Sequence, residues 1–150
     1  MNSTDISAPA HTAVEAARST DRAEITMLWQ KAGLVASYND PDDDFDFAAG
    51  KDNSDVLIIR DADEIVASVL VGHDGHRGWL YYVAVHPDHQ RRGLGASIVA
   101  GGEAWLKARN VKKVMLLVRE TNTRVVNFYE NLGYETVPRT LMQKWLNPPG

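Results

Sequence analysis

The segment His86–Gly95, HPDHQRRGLG, gathers two histidines, two arginines and two glycines into ten residues. It follows an apolar run, Trp79–Val85, and precedes ASIVAGGEAWLKAR, which reads as a helix. A helix N-terminus presents unpaired backbone N–H groups and a partial positive charge. Glycines let an anion approach that backbone closely. Gly93 and Gly95 offer this freedom, and Arg91 and Arg92 add fixed charge. A diphosphate fits such a junction better than a single carboxylate. The plainer alternative is a glycine turn flanked by solvated arginines. A dinucleotide fingerprint is disfavoured, because the residue three after Gly95 is Ile98 and the unit is mid-chain. The Gly-Lys-Ser/Thr of an NTP loop is absent.

Other residues able to do chemistry are the pairs His73/His76 and His86/His89. Each has the spacing His-x-x-His, but no further ligand cluster accompanies them in the sequence, so no metal site is expected. His86 suits the strand exit before Pro87. The chain has no cysteine, which excludes disulfides and thiolate catalysis. Asp74-Gly75 reads as a hairpin turn. The acidic run NDPDDDFD, Asn39–Asp46, reads as solvated surface.

The elements that must hold these residues follow from periodicity and punctuation. Val14–Arg18 suits a first strand. STDRAEITMLWQKAG suits a helix capped by Ser19 or Thr20 and ended by Gly33, with Ile25, Leu28 and Trp29 on one face. Pro41 opens a short second helix through Gly50. Asp55–Arg60 and Glu64–Gly72 form a hairpin. Trp79–Val85 is a strand without clean alternation, as when both faces are buried. A helix from Leu94 to Arg109 carries Leu94, Ile98, Gly101, Trp105 and Ala108 on one stripe. Gly101-Gly102 implies close helix–sheet packing. Lys112–Val118 is another buried strand, and TNTRVVNFYENLGY is a helix closed by Gly133. YETV and TLMQKWL suggest two last strands around Pro138. The order is β-α-α-β-β-β-α-β-α-β-β, an α/β fold with a mixed central sheet and helices on both faces.

With 150 residues, 44% of them hydrophobic, one domain is expected over 14–146, with a loose tail at 1–13 and a short one at 147–150. Net charge is −4, against nucleic-acid binding by bulk electrostatics. Residues 1–50 hold nine acids and three bases, and the remainder eleven acids and thirteen bases. The start lacks a secretory pattern, and the longest apolar run, 7 residues, is too short to cross a bilayer. A cytoplasmic protein is the expectation.

Gln90-Arg91-Arg92-Gly93-Leu94-Gly95 resembles the [Arg/Gln]-x-x-Gly-x-[Gly/Ala] motif of the GNAT N-acetyltransferases. YYVAVHPDH resembles the fourth strand and strand exit of that superfamily. VRETNTRVVNFYENLGY resembles its second signature, Asn-x-x-(Ala/Val)-x-x-(Phe/Leu)-Tyr-x-x-x-Gly-(Phe/Tyr). The two signatures are linked at the family's separation, and the resemblance covers about residues 14–146. YNDPDDD and GHDGHRGWLYY further resemble the small bacterial YpeA-type branch.

The resemblance implies the GNAT acyl-CoA N-acyltransferase fold, whose fourth and fifth strands splay apart, often at a bulge, to admit acetyl-CoA. Val83, Ala84 and Val85 would then pair with pantetheine as another strand would. Gln90, Arg91, Arg92, Gly93, Leu94, Gly95 and Ala96 would hold the diphosphate. Asn122 would contact the cofactor and Phe128 would pack beside it. Tyr129 matches the family tyrosine that protonates the departing sulfur; it also suits a core position. The fourth strand has no carboxylate, so Tyr81, Tyr82, His76 and Asp74 remain as candidate bases. Asp74, His76 and Arg77 would lie near the acceptor end, with Asn39, Asp40 and Tyr81 as further acceptor contacts. The implied function is direct transfer of acetyl from acetyl-CoA to a primary amine of a small molecule or protein, in a ternary complex. A non-catalytic acyl-CoA-binding regulatory module is the alternative. A nucleic-acid binder using Arg91, Arg92, Lys112 and Lys113 is a third, disfavoured class. Exposed edge strands permit a homodimer.

Overall fold

The computed structural model describes residues 13–149. Apart from Ala13 and residues 147–149, the two expected tails lie outside the described residues. The described residues fall into two compact units, divided between Leu116 and Leu117.

In the first unit, five strands form one sheet in the order β1-β2-β3-β4-β5. They are β1 (Val14–Ala16), β2 (Ser54–Asp61), β3 (Glu64–His73), β4 (Gly78–Val85) and β5 (Val114–Met115). Neighbours are antiparallel except for β4 and β5, which are parallel. Three helices flank the sheet: α1 (Arg22–Lys31), α2 (Pro41–Ala48) and α3 (Leu94–Lys107).

Helices lie on both faces, as expected. Ile25, Leu28 and Trp29 of α1, with Phe45 and Ala48 of α2, pack on Val56, Ile58 and Ala84. On the other face α3 approaches so closely that a Cβ at Gly102 would stand 2.9 Å from Leu80 Cδ2. A Cβ at Gly101 would meet the Val14 methyls at 2.7 and 2.8 Å. The glycine pair thus sets the helix–sheet distance. The buried stripe of α3 is Leu94, Ile98, Val99, Gly102 and Leu106, rotated from the expected Gly101–Trp105 line. Trp105 is half-buried beneath the Arg109 guanidinium, 3.5 Å from its ring centroid.

Several expectations are corrected. Ser19–Asp21 is a turn of 3-10 helix, and α1 starts only at Arg22. The Asp21 carboxylate, rather than Ser19 or Thr20, accepts from the Arg18 N–H at 2.9 Å. α3 ends two residues early, at Lys107, with Asn110 turning the chain at φ 64°. The strand expected over residues 112–118 pairs only at Val114–Met115. It is β2 and β3 that are buried on both faces; in β4, Tyr81 is 45% exposed.

The second unit has one helix, α4 (Thr123–Asn131). Gly133, at φ 94°, follows it, and the Tyr134 N–H bonds back to the Tyr129 carbonyl at 3.0 Å. The two terminal strands expected from YETV and TLMQKWL are absent: residues 134–149 contain no strand. Local β preference does not make a strand without a partner for its backbone.

Candidate active site

β4 is where the sheet departs from regularity. Its register with β3 runs from Ser68↔Ala84 to Leu70↔Tyr81, so Tyr82 and Val83 together oppose Val69. This is a β-bulge, and Tyr82 takes φ 51° to make it. A bulky residue in that region is strained by about 1–3 kcal/mol unless its surroundings hold it. They do: the Tyr82 ring stacks on Trp29 at 4.0 Å and 7°. Trp29 in turn donates from Nε1 to the buried Ser68 Oγ at 3.0 Å. At its far end, Tyr82 donates from its hydroxyl to Asp44 Oδ2 at 2.7 Å, and Asn39 bonds to the same phenol. Burial first, then the Asp44 hydrogen bond and charge, push the Tyr82 phenol far above its ordinary range. Tyr82 is therefore a donor to Asp44.

On its other side β4 pairs with β5 only through Gly78↔Val114 and Trp79↔Met115. Among the described residues, no strand pairs with the remainder of that edge, Leu80–Val85. Val83 and Val85 thus flank the open edge with backbone groups available to an added strand, while Ala84 pairs with Ser68 of β3 and its side chain is buried in the core. The Val85 carbonyl already accepts from Gln90 Nε2 at 3.0 Å. Gln90 therefore closes the strand end.

Beyond Val85 the chain turns through a 3-10 segment, Pro87–His89, into α3. His86 serves the exit as expected, accepting the Asp88 N–H on Nδ1 at 3.1 Å. Two left-handed residues, Arg91 at φ 65° and Gly93 at φ 74°, bend the loop. Gly93 is the N-cap of α3 and supplies no side-chain bond to the first turn. A Cβ there would have open space, so conformation rather than crowding calls for glycine. Gly95, by contrast, lies inside the first helical turn with Leu94 and Ala96, without a positive φ. Arg91 is exposed. The Arg92 guanidinium binds Asp61 Oδ2 at 3.0 Å and His89 Nδ1 at 2.6 Å.

The remaining expected residues are dispersed. Asp74 organises the β3–β4 turn: Oδ1 accepts the His76 and Arg77 N–H groups at 2.9 and 2.8 Å. These backbone bonds hold its carboxyl below the usual range. The turn stands at the paired end of β4, the end opposite the loop that leads to α3. Tyr81 stacks on Trp79 at 6.3 Å, and burial, then the Asp74 charge, raises its phenol. Asp40 caps α2, accepting from the Asp42 and Asp43 N–H groups. Asp42 and Asp46 pair with Arg22. Asp43 is raised chiefly by the neighbouring Asp40 charge. The acidic run is thus a set of specific contacts, and Asp44 is the member directed to the bulge. Sequence reasoning missed it because only the α2–sheet packing distinguishes it from its neighbours.

In the second unit, Asn122 is the N-cap of α4, its Oδ1 accepting from Val125 N–H at 3.3 Å. Tyr129 is buried between Phe128 and Tyr134, ring centroids at 5.0 and 5.5 Å. Burial pushes its phenol up to about 12.

Residues 19–134 match the model of the acetyltransferase (GNAT) family, and the chain belongs to that family. An acetyltransferase of Pectobacterium atrosepticum is 40% identical over 120 residues, covering 80% of this chain and 85% of that one. One from Sodalis glossinidius is 37% identical over 125 residues, covering 83% and 88%. Among solved structures, the ribosomal-protein-S18-alanine N-acetyltransferase of Escherichia coli superposes with a TM-score of 0.72 at 22% identity, covering 84% of this chain and 79% of that one. The aminoglycoside N-acetyltransferase AAC(6')-Iy, solved with a bisubstrate analogue built on CoA, gives 0.76 at 14% identity, covering 89% and 97%. The protein is an acyltransferase whose donor is acetyl-CoA. The donor fits what the first unit offers: an unpaired strand edge for an amide-bearing arm, then a cationic loop and an uncapped helix start for phosphates.

Proposed function

We propose that the protein transfers acetyl directly from acetyl-CoA to a primary amine, of a small molecule or a protein, with both bound together. One observation carries this reading: the bulge at Tyr82–Val83 sets the open β4 edge beside the Tyr82–Asp44–Asn39 group. A donor site and a carboxylate for a cationic nitrogen then lie at adjoining positions. The solved relatives named above are both N-acetyltransferases, which supports a nitrogen acceptor.

Acetyl-CoA supplies the reactive thioester. The chain's part is positioning, which alone removes much of the barrier between two bound reactants. Backbone groups of Val83 and Val85 hold the pantetheine arm, and an N–H at the bulge polarises the carbonyl. Residues 90–96 hold the diphosphate. Asp44, kept in place by the Tyr82 hydroxyl, orients the acceptor nitrogen, which first loses one ammonium proton to water and attacks the thioester as the neutral amine. As the carbon–nitrogen bond forms, that nitrogen becomes acidic, and proton loss to the Asp44 carboxylate or a water beside it turns downhill. Tyr129 offers its phenolic proton to the departing sulfur. In this scheme Asn39 assists Asp44, whereas Asp40 and Asp74 act through the cap and the turn. His76, Arg77 and Tyr81 serve only an acceptor long enough to reach the β3–β4 turn.

The test is CoA release across a panel of polyamines, aminoglycosides and peptides with free N-termini. Asp44→Asn is expected to lower acceptor kcat/KM by about 10- to 100-fold, the loss of a charged hydrogen bond, with the acetyl-CoA KM unchanged. CoA release no faster than hydrolysis on every amine would sink the proposal.

A further inference from the structure

A chain of polar contacts links the β2–β3 hairpin to the loop entering α3. Asp61 ends β2 and Glu64 opens β3. Arg92 Nη1 bridges Asp61 Oδ2 and His89 Nδ1. His89 Nε2 lies 3.0 Å from Glu64 Oε1, and His86 Nε2 lies 3.5 Å from Glu64 Oε2. The Asp88 N–H closes the chain on His86 Nδ1.

Donor chemistry fixes the protons. Arginine has only donors, so His89 Nδ1 must accept, and the neutral ring carries its hydrogen on Nε2. A backbone N–H is also only a donor, so His86 follows the same pattern. Glu64 therefore receives an N–H from His89 at 3.0 Å, and its other oxygen lies 3.5 Å from His86 Nε2. The candidate ligand atoms of Glu64, His86 and His89 all lie within 4.8 Å of one another, a grouping a divalent cation could use. A metal needs bare imidazole nitrogens, with the second nitrogen of each ring donating outward. Here both outer nitrogens accept, and the nitrogens facing Glu64 are protonated. The cluster is built as a clasp.

We propose that Glu64 is a positioning residue for acetyl-CoA: through His86, His89 and Arg92 it holds residues 86–93 in the shape that receives the diphosphate. The proposal rests on reading residues 90–96 as the diphosphate site. The loop needs such a brace, since Arg91 sits in a left-handed conformation that non-glycine residues disfavour. With Arg92 turned to Asp61 and His89, Arg91 and the first turn of α3 are what remain to face the phosphates. A loop already ordered binds without first losing entropy, so the effect belongs to affinity.

The experiment is calorimetric titration of the full chain with CoA and with pantetheine, which lacks the diphosphate. Glu64→Ala is expected to weaken CoA binding about 5- to 30-fold and to leave pantetheine binding unchanged. Glu64→Gln, which keeps one acceptor, should recover part of the loss. Amide hydrogen exchange over residues 86–93 of the ligand-free variant should quicken, a readout independent of turnover. Arg91→Glu tests the loop reading separately. Should Arg91→Glu weaken CoA selectively while Glu64→Ala does not, the clasp is overturned and the loop reading stands. Should neither discriminate CoA from pantetheine, the loop reading falls and the clasp with it. Should Zn²⁺ tighten CoA binding by the wild type, and EDTA reproduce the Glu64→Ala loss, the cluster is a metal centre and the clasp is overturned.

Discussion

Tyr82 carries more of this site than any residue with an evident motif. Its backbone makes the bulge, its ring stacks on Trp29 and its hydroxyl fixes Asp44. Tyr82→Phe removes only the last of these. It should cost about 1 kcal/mol of stability, read by denaturant titration, yet lower acceptor kcat/KM as Asp44→Asn does. Tyr129 has a simpler test. Its phenol, pushed up to about 12, stays protonated across the working range. Tyr129→Phe should lower kcat by about 10- to 10³-fold. No alkaline limb of the rate profile should trace to this residue below about pH 11. Unchanged turnover would remove Tyr129 from the mechanism.

Among the elements, α3 and the sheet are coupled by absent side chains. At Gly102 a Cβ would press on the flexible end of Leu80, so alanine is tolerable there and also gains helix propensity. A branched side chain has no such room. Gly102→Val should destabilise by about 1–3 kcal/mol, seen as a lower thermal midpoint, and by tilting α3 should weaken CoA binding too. Element types were legible because periodicity is local: Ile25, Leu28 and Trp29 declare a helix face from their spacing alone. Element ends were less so. The strand at 112–118 shrinks to two paired residues, and the last two strands do not form, because pairing depends on what lies alongside. The Gly101-Gly102 pair announced close packing, but which glycine faces the core depends on the helix's rotation over Leu80.

Across the first unit, distant charges are joined by folding. Arg60 bonds Glu15 at 2.7 Å and Asp21 at 2.7 Å, tying β1, β2 and the turn before α1. Burial alone would raise the Asp21 carboxyl, but hydrogen bonds from Arg60 and the Arg18 N–H, with the charges of both arginines, hold it below its ordinary range. A depressed folded-state value contributes stability that is complete above about pH 4 and lost as pH falls through that value. Asp21→Asn should therefore lower the melting temperature at neutral pH, with the gap to wild type closing in acid. A gap independent of pH would contradict the ion pair. By itself the sequence determined the family, the donor and the order of the main elements, since two linked signatures and local periodicity need no knowledge of neighbours. Only the tertiary structure decided which acid meets the bulge, that Arg92 turns to Asp61 and His89, and that Glu64 joins His86 and His89. The Tyr82–Asp44, Arg92–Asp61 and His89–Glu64 contacts join residues 38, 31 and 25 positions apart, and at such separations side chains meet only through the register of strands and the packing of helices on them.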